Sequence, residues 1–344
     1  MRLPRTVLVG NNVLEEAPKI LKEVDVSRVL VISGPTTWKI AGEDLFGILS
    51  SSGIQVKKFI AKEATKEEAN KAIQRHNEAS IGAVFGVGGG KNIDIAKVAA
   101  KEYDSPMISV PTALSNDGVA SPFVSLKRRE QKFSEYALSP LAVLVDLTKI
   151  VSAPKRLLRS GVGDMVSKIN AVLDWKIAHR YQGEYYGGYA GSLSEMTSKI
   201  VMDSKEGLKD MKPEAIRTLS EAVVSSGIAM GIAGSSRPAS GAEHLFSHAL
   251  DSINENLALH GEQCGVGTIL MLHHRGDKRW KKVREFLRTV RCPVTAEDLE
   301  IPKELIIDAL VKAPTIRDRY TILDQKPLNQ KKAEKLAVAS GVLP

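Results

Sequence analysis

Cysteine is scarce: the 344 residues hold only Cys264 and Cys292, with no CxxC pair. Two thiols are too few for a disulfide framework. Both read as buried, inert thiols, although Cys264 lies close to a motif described below. Aromatic residues make up 5% of the chain and do not alternate with basic ones, which argues against a stacking platform for nucleic acid. No apolar run approaches the roughly 20 residues that span a bilayer. The opening MRLPRTVLVGNN is cut short by Asn11 and Asn12, so it reads as a first strand and turn rather than a signal peptide. The expected location is cytoplasmic. There is no internal repeat and no low-complexity tract.

The hydrophobic fraction of 43% and charged fraction of 26% are those of an ordinary globular protein. The length exceeds what one hydrophobic core comfortably serves, so two domains are expected. The net charge is +8 and the pI about 9.3. That balance favours phosphates, nucleotides and other acidic partners. The densest basic stretch is KRWKKVREFLRTVR, from Lys278 to Arg291. Within it Val283, Phe286, Leu287 and Val290 fall at helical spacing, so the basic residues read as the solvated face of an amphipathic helix. The reading calls for no nucleic-acid partner and no stable membrane insertion.

Strand and helix patterns alternate through the first 150 residues. Arg28 to Ser33, Ile54 to Ile60, Ile81 to Val87, Met107 to Val110 and Leu141 to Asp146 read as strands. Helices are expected over Trp38 to Ser50, Lys66 to Glu78 and from Gly90 to Ala100, with Thr65 and Glu68 spaced as a capping box. Such alternation predicts a parallel sheet with helices on both faces. The character changes near Ser152-Ala153-Pro154. Beyond it helical patterns dominate: Val162 to Arg180, Ser192 to Asp203, Glu214 to Gly231, Gly241 to Asn254 and Gly261 to His274. The expected organisation is a Rossmann-like, nucleotide-binding α/β domain over residues 1–152 and an all-α, metal- and substrate-binding domain over 153–344.

Two loops in the first domain stand where ligands bind, outside the carboxyl ends of parallel strands. In FGVGGGKNID, Gly88, Gly89 and Gly90 allow close backbone approach, and the helix that follows offers free N–H groups and a positive dipole end to a pyrophosphate. The pattern is neither GxGxxG nor GxxxxGK[ST], and a tight turn would also use three glycines. The second loop, VPTALSNDGVASP, is dense in hydroxyls, an amide and a carboxylate; these are also turn residues.

The second domain carries a carboxylate and histidines. GVGDMVSK places Asp164 at an expected helix start. GAEHLFSH puts His244 and His248 at i and i+4 on one helix face. LHGEQ adds His260 at the start of another helix. One carboxylate with two or three imidazoles suits Zn²⁺ or another divalent transition metal, with a position left open for substrate. By spacing alone these histidines fit a protein core equally well. His76 reads as exposed, His179 as a helix-end cation, and His273 and His274 as a helix terminus.

Taken in order, GGGKNIDIAK, PTALSNDGVASP, GVGDMVSK, SGAEHLFSHALD and ALHGEQCGVGTILM resemble the superfamily of iron-containing alcohol dehydrogenases, glycerol dehydrogenases and dehydroquinate synthases. The SNDGVASP loop resembles the archaeal sn-glycerol-1-phosphate dehydrogenases in particular. The resemblance covers nearly the whole chain. It implies cofactor contacts, NADPH or NADH, from Gly90, Lys91, Asn92, Ile93 and Asp94, from Thr112, Ala113, Leu114 and Ser115, and from Ser121. Gly88 and Gly89 join them as the cradle, and Thr36 is expected near the adenosine. It implies Asp164, His244 and His260 as ligands of one Zn²⁺ per subunit, with Asp117, Asp164 and His248 against the substrate and Asp117 and His248 as catalytic groups. The activity it implies is reduction of dihydroxyacetone phosphate to sn-glycerol 1-phosphate for ether-lipid backbones. A homo-oligomer is expected. Lys168 and Lys199 are candidates to hold the substrate phosphate. A glycerol or polyol dehydrogenase and a dehydroquinate-synthase-like lyase are the alternatives on the same scaffold.

After the first strand the turn reads Gly34-Pro35-Thr36-Thr37, with no carboxylate to bond a ribose 2′-OH or to repel a 2′-phosphate. NADPH is therefore expected to serve at least as well as NADH. Parallel assays with the two cofactors check this, and a strong preference for NADH would overturn it.

Overall fold

The computed structural model describes residues 3–76, 80–128, 131–254 and 258–344. Backbone proximity divides the chain into two compact units, Met1–Pro154 and Lys155–Pro344.

The first unit is built on six parallel strands: β1 (Thr6–Gly10), β2 (Arg28–Ser33), β3 (Gln55–Ile60), β4 (Ala83–Gly88), β5 (Met107–Pro111) and β8 (Ala142–Asp146), in the order β1-β8-β5-β4-β2-β3. A short antiparallel hairpin, β6 (Phe123–Arg128) with β7 (Gln131–Tyr136), stands outside that sheet. The strands are continuous runs of Val, Ile, Leu and Ala because both faces are covered. On one face Val29, Val31, Phe85, Val110 and Leu144 pack with Leu21, Leu45 and Leu49 from the helices Ala17–Glu23 and Glu43–Ser51. On the other, the helix Gly90–Glu102 lies so close to β4 that a Cβ on Gly86 would stand 2.8 Å from Ala96 Cβ. The expected strands all appear, shifted by at most two residues at either end. The hairpin was not foreseen: the charged run KRREQK, which takes in the end of β6 and the start of β7, hides any alternation.

From β2 the chain moves outward to β3, then returns to place β4 on the other side of β2. The direction of winding reverses between β2 and β4, and the carboxyl ends of the strands at such a switch point form the ligand crevice of open α/β sheets.

Thr65 and Glu68 make half of the expected capping box at Lys66–His76. Glu68 N–H donates to Thr65 Oγ1 at 3.1 Å, while the Glu68 carboxylate accepts from Lys62 N at 2.8 Å. The last two residues of that expected helix, Asn77 and Glu78, lie outside the described residues, as do Met1 and Arg2 of the opening segment. His76 is half-buried rather than exposed, because its ring meets Phe59 edge-on with centroids 6.5 Å apart.

The second unit contains no strand among its described residues. Its long helices are Lys155–Gln182, Gly188–Asp203, Pro213–Ala233, Ala242–Ile253, His260–Arg275 and Arg279–Thr289, followed by Lys303–Lys312 and Gln330–Ala339. The basic helix buries Val283, Phe286 and Leu287, as its spacing predicts. Asp164 corrects the sequence reading. It lies nine residues inside a 28-residue helix rather than at a helix start. The glycines flanking it suggested a boundary, but they serve a helix crossing. A Cβ on Gly163 would stand 2.2 Å from Gly261 O, and one on Gly261 would stand 1.8 Å from Ser160 O. The helices Lys155–Gln182 and His260–Arg275 therefore touch backbone to backbone. A third helix joins at Gly267, whose Cβ would meet Glu243 O at 3.0 Å.

Gly163→Ala should test this contact. Alanine gains about 1 kcal/mol of helix propensity over glycine, but the clash with a backbone carbonyl forces the helices apart, and overpacking of this kind costs about 1–3 kcal/mol or more. The expected outcome is a lower unfolding midpoint. Unchanged stability would show that the crossing yields easily.

Candidate functional site

In the first unit, the residues assigned to the cofactor gather at the carboxyl ends of β2, β4 and β5. Gly88 adopts φ of 141°, a conformation that favours glycine, and any Cβ there would stand 2.2 Å from Asn92 Nδ2. Above Gly89 there is open space, so a ligand can come against the backbone there. Lys91 is half-buried and bonds the Lys62 carbonyl. Asn92 is buried. Its Nδ2 spends both hydrogens on Thr37 Oγ1 (3.0 Å) and Val87 O (3.2 Å), and its Oδ1 is buried with no partner. Ile93 is buried in the helix core, and Thr36 is exposed in the short helix Pro35–Thr37. A bare glycine backbone, an open helix start and an orphaned acceptor fit a dinucleotide.

Asp94 and Lys97 form a buried pair at 3.3 Å. Burial pushes the Asp94 carboxyl up and the Lys97 ammonium down, each held back by the other's charge. Asp94 Oδ2 accepts from Ser125 N–H at 2.8 Å. Lys97 Nζ donates to Gly118 O at 2.6 Å and Phe123 O at 2.8 Å. Lys97 thus straps the loop that carries Asp117 and Ser121 to the helix that begins at the glycine cradle. In that loop region Thr112, Ala113, Leu114 and Ser121 are buried, and Ser115 and Asp117 are half-buried. Thr112 N–H donates to Gly88 O at 3.1 Å, tying the two ligand loops together. Sequence reasoning missed the role of Lys97; its i+3 spacing from Asp94 was the available signal.

In the second unit, Asp164, His244, His260 and Cys264 each offer a donor atom, and these atoms all lie within 4.8 Å of one another. The helix crossing at Gly163 and Gly261 brings Asp164 beside His260, and the crossing at Gly267 adds the helix bearing His244. His248, one turn beyond His244, stacks on His260 with ring centroids 5.7 Å apart. The structure brings together Asp164, His244, His248 and His260, and adds Cys264.

Hydrogen bonds decide which nitrogen each imidazole presents. Gln263 Nε2 faces Asp251 Oδ1 (3.2 Å) and Ala258 O (3.3 Å), so its Oε1 must be the atom that accepts from Ser247 Oγ at 2.6 Å. The Ser247 hydroxyl, its proton committed, accepts from His260 Nδ1–H at 3.1 Å. Nε2 of His260 is left as a lone pair. His244 Nδ1–H donates to Glu243 Oε1 at 2.7 Å, and its Nε2 faces Asp164 Oδ1 at 3.4 Å. A ring nitrogen fixed by a carboxylate or hydroxyl in this way is the usual support of a metal-binding histidine. Glu243 is itself anchored by Gly241 N–H at 2.7 Å and by Asn170, which also bonds Asp174, the partner of Arg275.

The charges are balanced inside the unit. Burial alone would raise Asp164, but Lys168 at 2.8 Å and the two histidines hold it well below the usual carboxylate range. Burial alone would lower His244 and His260, yet the Cys264 sulfur and neighbouring carboxylates raise both; the same histidines lower the Cys264 thiol. Cys292, buried away from such charges, is pushed up to about 12. One carboxylate, two imidazoles and a thiol, supported and converging on a point, fit a borderline-soft divalent cation. Lys168 is fully buried and also bonds Ala239 O, so it neutralises Asp164 rather than waiting for a phosphate. Lys199 lines a separate pocket of about 310 Å³ with Arg279 and Lys282.

Comparisons with known proteins follow the same division. Residues 8–154 match the family model described as iron-containing alcohol dehydrogenase. Along the whole chain, a glycerol-1-phosphate dehydrogenase [NAD(P)+] of Staphylothermus marinus is 45% identical, over 99% of this chain and 97% of its own length. The chain belongs to the glycerol-1-phosphate dehydrogenase family. Family members from Thermococcus kodakarensis (46%, covering 100% and 98%) and Methanosarcina barkeri (44%, covering 100% and 96%) are similar to the same extent. The fold is that of a glycerol dehydrogenase from Schizosaccharomyces pombe, with a TM-score of 0.82 at 22% identity, over 99% of this chain and 89% of that one. Within this family scaffold, the Glu243 carboxylate is the nearest support of a candidate ligand. Glu243→Gln should weaken zinc binding by about 10–100-fold, read by competition with a chromophoric chelator; unchanged affinity would show that the hydrogen bond has no bearing on the ligand.

Proposed function

We propose that this chain reduces dihydroxyacetone phosphate to sn-glycerol 1-phosphate with NADPH or NADH, and that Asp164, His244 and His260 hold one Zn²⁺ per subunit. The observation that carries the reading is similarity along the full length to enzymes named for this activity, joined to a buried donor set suited to a divalent cation. The product is the backbone unit of ether-linked membrane lipids. The working form is read as a cytoplasmic homo-oligomer. Among the described residues no helix is long and apolar enough to cross a membrane.

Gly88, Gly89, Gly90 and the helix start at Lys91 and Asn92 hold the cofactor pyrophosphate, with Ile93 and Asp94 behind them. Both Asp94 oxygens have internal partners, so it meets the cofactor through its remaining lone pairs. Thr36 sits by the adenosine. Thr112, Ala113, Leu114, Ser115 and Ser121 line the nicotinamide side. When bound, the reduced nicotinamide supplies a hydride to C2 of the ketone, and the divalent ion supplies Lewis-acid polarisation of its carbonyl oxygen. Asp117 orients the substrate hydroxyl. His248 delivers the proton that completes the new alcohol, directly or through one water. Asp164 stays ionised beside Lys168 and keeps a negative charge close to the substrate.

The test is oxidation of NADPH by the zinc-loaded protein with dihydroxyacetone phosphate, followed by determination of the product's hand. Formation of sn-glycerol 1-phosphate is the expected result. The 3-phosphate would overturn the stereochemical assignment. Turnover of unphosphorylated glycerol alone would indicate a polyol dehydrogenase, and phosphate release without net cofactor oxidation a lyase.

A further inference from the structure

Lys168 is committed to Asp164, and Lys199 lines a separate pocket. The helical unit gathers other cations beyond the end of the helix Pro213–Ala233 and along residues 317–320. Arg237 is buried, ion-paired with Glu184, and donates from Nη1 to Tyr320 O at 2.9 Å. Arg319 is half-buried. Its Nη1 donates to Ser240 O and its Nη2 to Ser236 Oγ at 2.7 Å, so it meets only neutral acceptors. Arg317 is also half-buried, and among the described residues it has no hydrogen-bond acceptor and no ion pair. Asp318 stands between the two in the chain and pairs with neither.

Three guanidinium groups therefore share one paired carboxylate. The crowding is felt at Arg319. Burial and the charges of Arg317 and Arg237 push it down, and the Glu184 and Glu243 carboxylates oppose this only in part. Arginine keeps its proton all the same. Like charges in a partly desolvated place cost free energy until a counter-charge joins them. Hydrogen bonds hold Arg237 and Arg319 where they are, so the cluster cannot disperse into water. Arg319 keeps N–H groups beyond the two it uses, Arg317 keeps all five, and the Ser236 hydroxyl still has its own proton to donate. Planar forks of donors suit the oxygens of a phosphate.

We propose that Arg317 and Arg319, with the Ser236 hydroxyl, form an anion site in the helical unit that takes a phosphate group. Ser240, whose carbonyl Arg319 grips, is followed by Gly241, and Gly241 N–H donates to Glu243 Oε1, the support of His244. One residue before Ser240, Ala239 O accepts from Lys168, the partner of Asp164. The loop over residues 236–241 thus links the guanidinium pair to the surroundings of Asp164 and His244. The phosphate of dihydroxyacetone phosphate is one source of the ligand, and free phosphate is the other. Assigning the site to the substrate rests on the reaction proposed above; the site itself does not.

The full zinc-loaded chain is titrated with inorganic phosphate, against chloride at equal ionic strength, while its unfolding midpoint is followed. Phosphate should raise the midpoint of the wild type. In Arg317→Gln the apparent phosphate affinity should fall about 10–100-fold. The phosphate-free midpoint of that variant should hold or rise, because an uncompensated cation is gone. No rise in the wild type would overturn the proposal. So would an undiminished rise in Arg317→Gln, which places phosphate on the metal ion, or a lower phosphate-free midpoint, which makes the arginine a structural contact. Initial rates separate the two sources. A KM for dihydroxyacetone phosphate raised by a similar factor in Arg317→Gln, with phosphate competing against that substrate, assigns the site to the substrate. An unchanged KM with phosphate binding lost assigns it to free phosphate. A wild type that binds phosphate through Arg317 yet does not turn over dihydroxyacetone phosphate would sink the proposed reaction and leave the site standing.

Discussion

The helical unit depends on one contact: the backbone of the helix Lys155–Gln182 against that of His260–Arg275, with glycine on both sides. Side chains normally hold helices 8–10 Å apart. At Gly163 and Gly261 nothing projects, and a Cβ on either would stand 2.2 or 1.8 Å from a carbonyl oxygen, far inside van der Waals contact. That proximity lets a short carboxylate such as Asp164 share a small volume with His260. Longer side chains could reach across a wider gap, but they would bring more rotatable bonds and a looser ligand set.

Drawing ionisable groups together inside protein is costly unless every charge has a partner. Here each has one. Asp164 faces Lys168 and His244 is backed by Glu243. Behind Glu243, Asn170 passes the chain of hydrogen bonds to Asp174 and Arg275. The network explains why so many polar residues of this unit are buried. Glu243 and Ser247 each engage one ring nitrogen, Nδ1 of His244 and Nδ1 of His260, and turn the other toward Asp164 and Cys264.

Much of this was legible in the sequence. Hydrophobic runs closed by Gly and Pro gave the strands of the sheet, because a parallel strand buried on both faces has to be apolar throughout. Helical periodicity gave most of the second unit. The order of motifs pointed to Asp164, His244 and His260, residues that the fold then gathers. What the sequence obscured has physical causes. Gly161 and Gly163 looked like a helix boundary because glycine is a poor helix former, whereas here its lack of a side chain is what matters. The hairpin β6–β7 was masked by charge. Lys168 was a candidate for the substrate phosphate, and Lys97 and Glu243 were given no role, because such residues are usually found at the surface; only the fold shows that each neutralises or orients a neighbour. Their i+3, i+4 and adjacent spacings to acids and histidines were visible, but many exposed helices carry the same spacings.

The strap formed by Lys97 bears on how the first unit meets its ligand. One ammonium with no exposed surface grips the Gly118 carbonyl in the loop beyond β5 and the Phe123 carbonyl at the start of β6, while its own helix opens at the glycine cradle. Loop and cradle are therefore tied together within the folded chain. To that extent the conformational entropy of ordering the loop is lost on folding. A dinucleotide bound as proposed would spend correspondingly less of its binding energy on setting the protein in order.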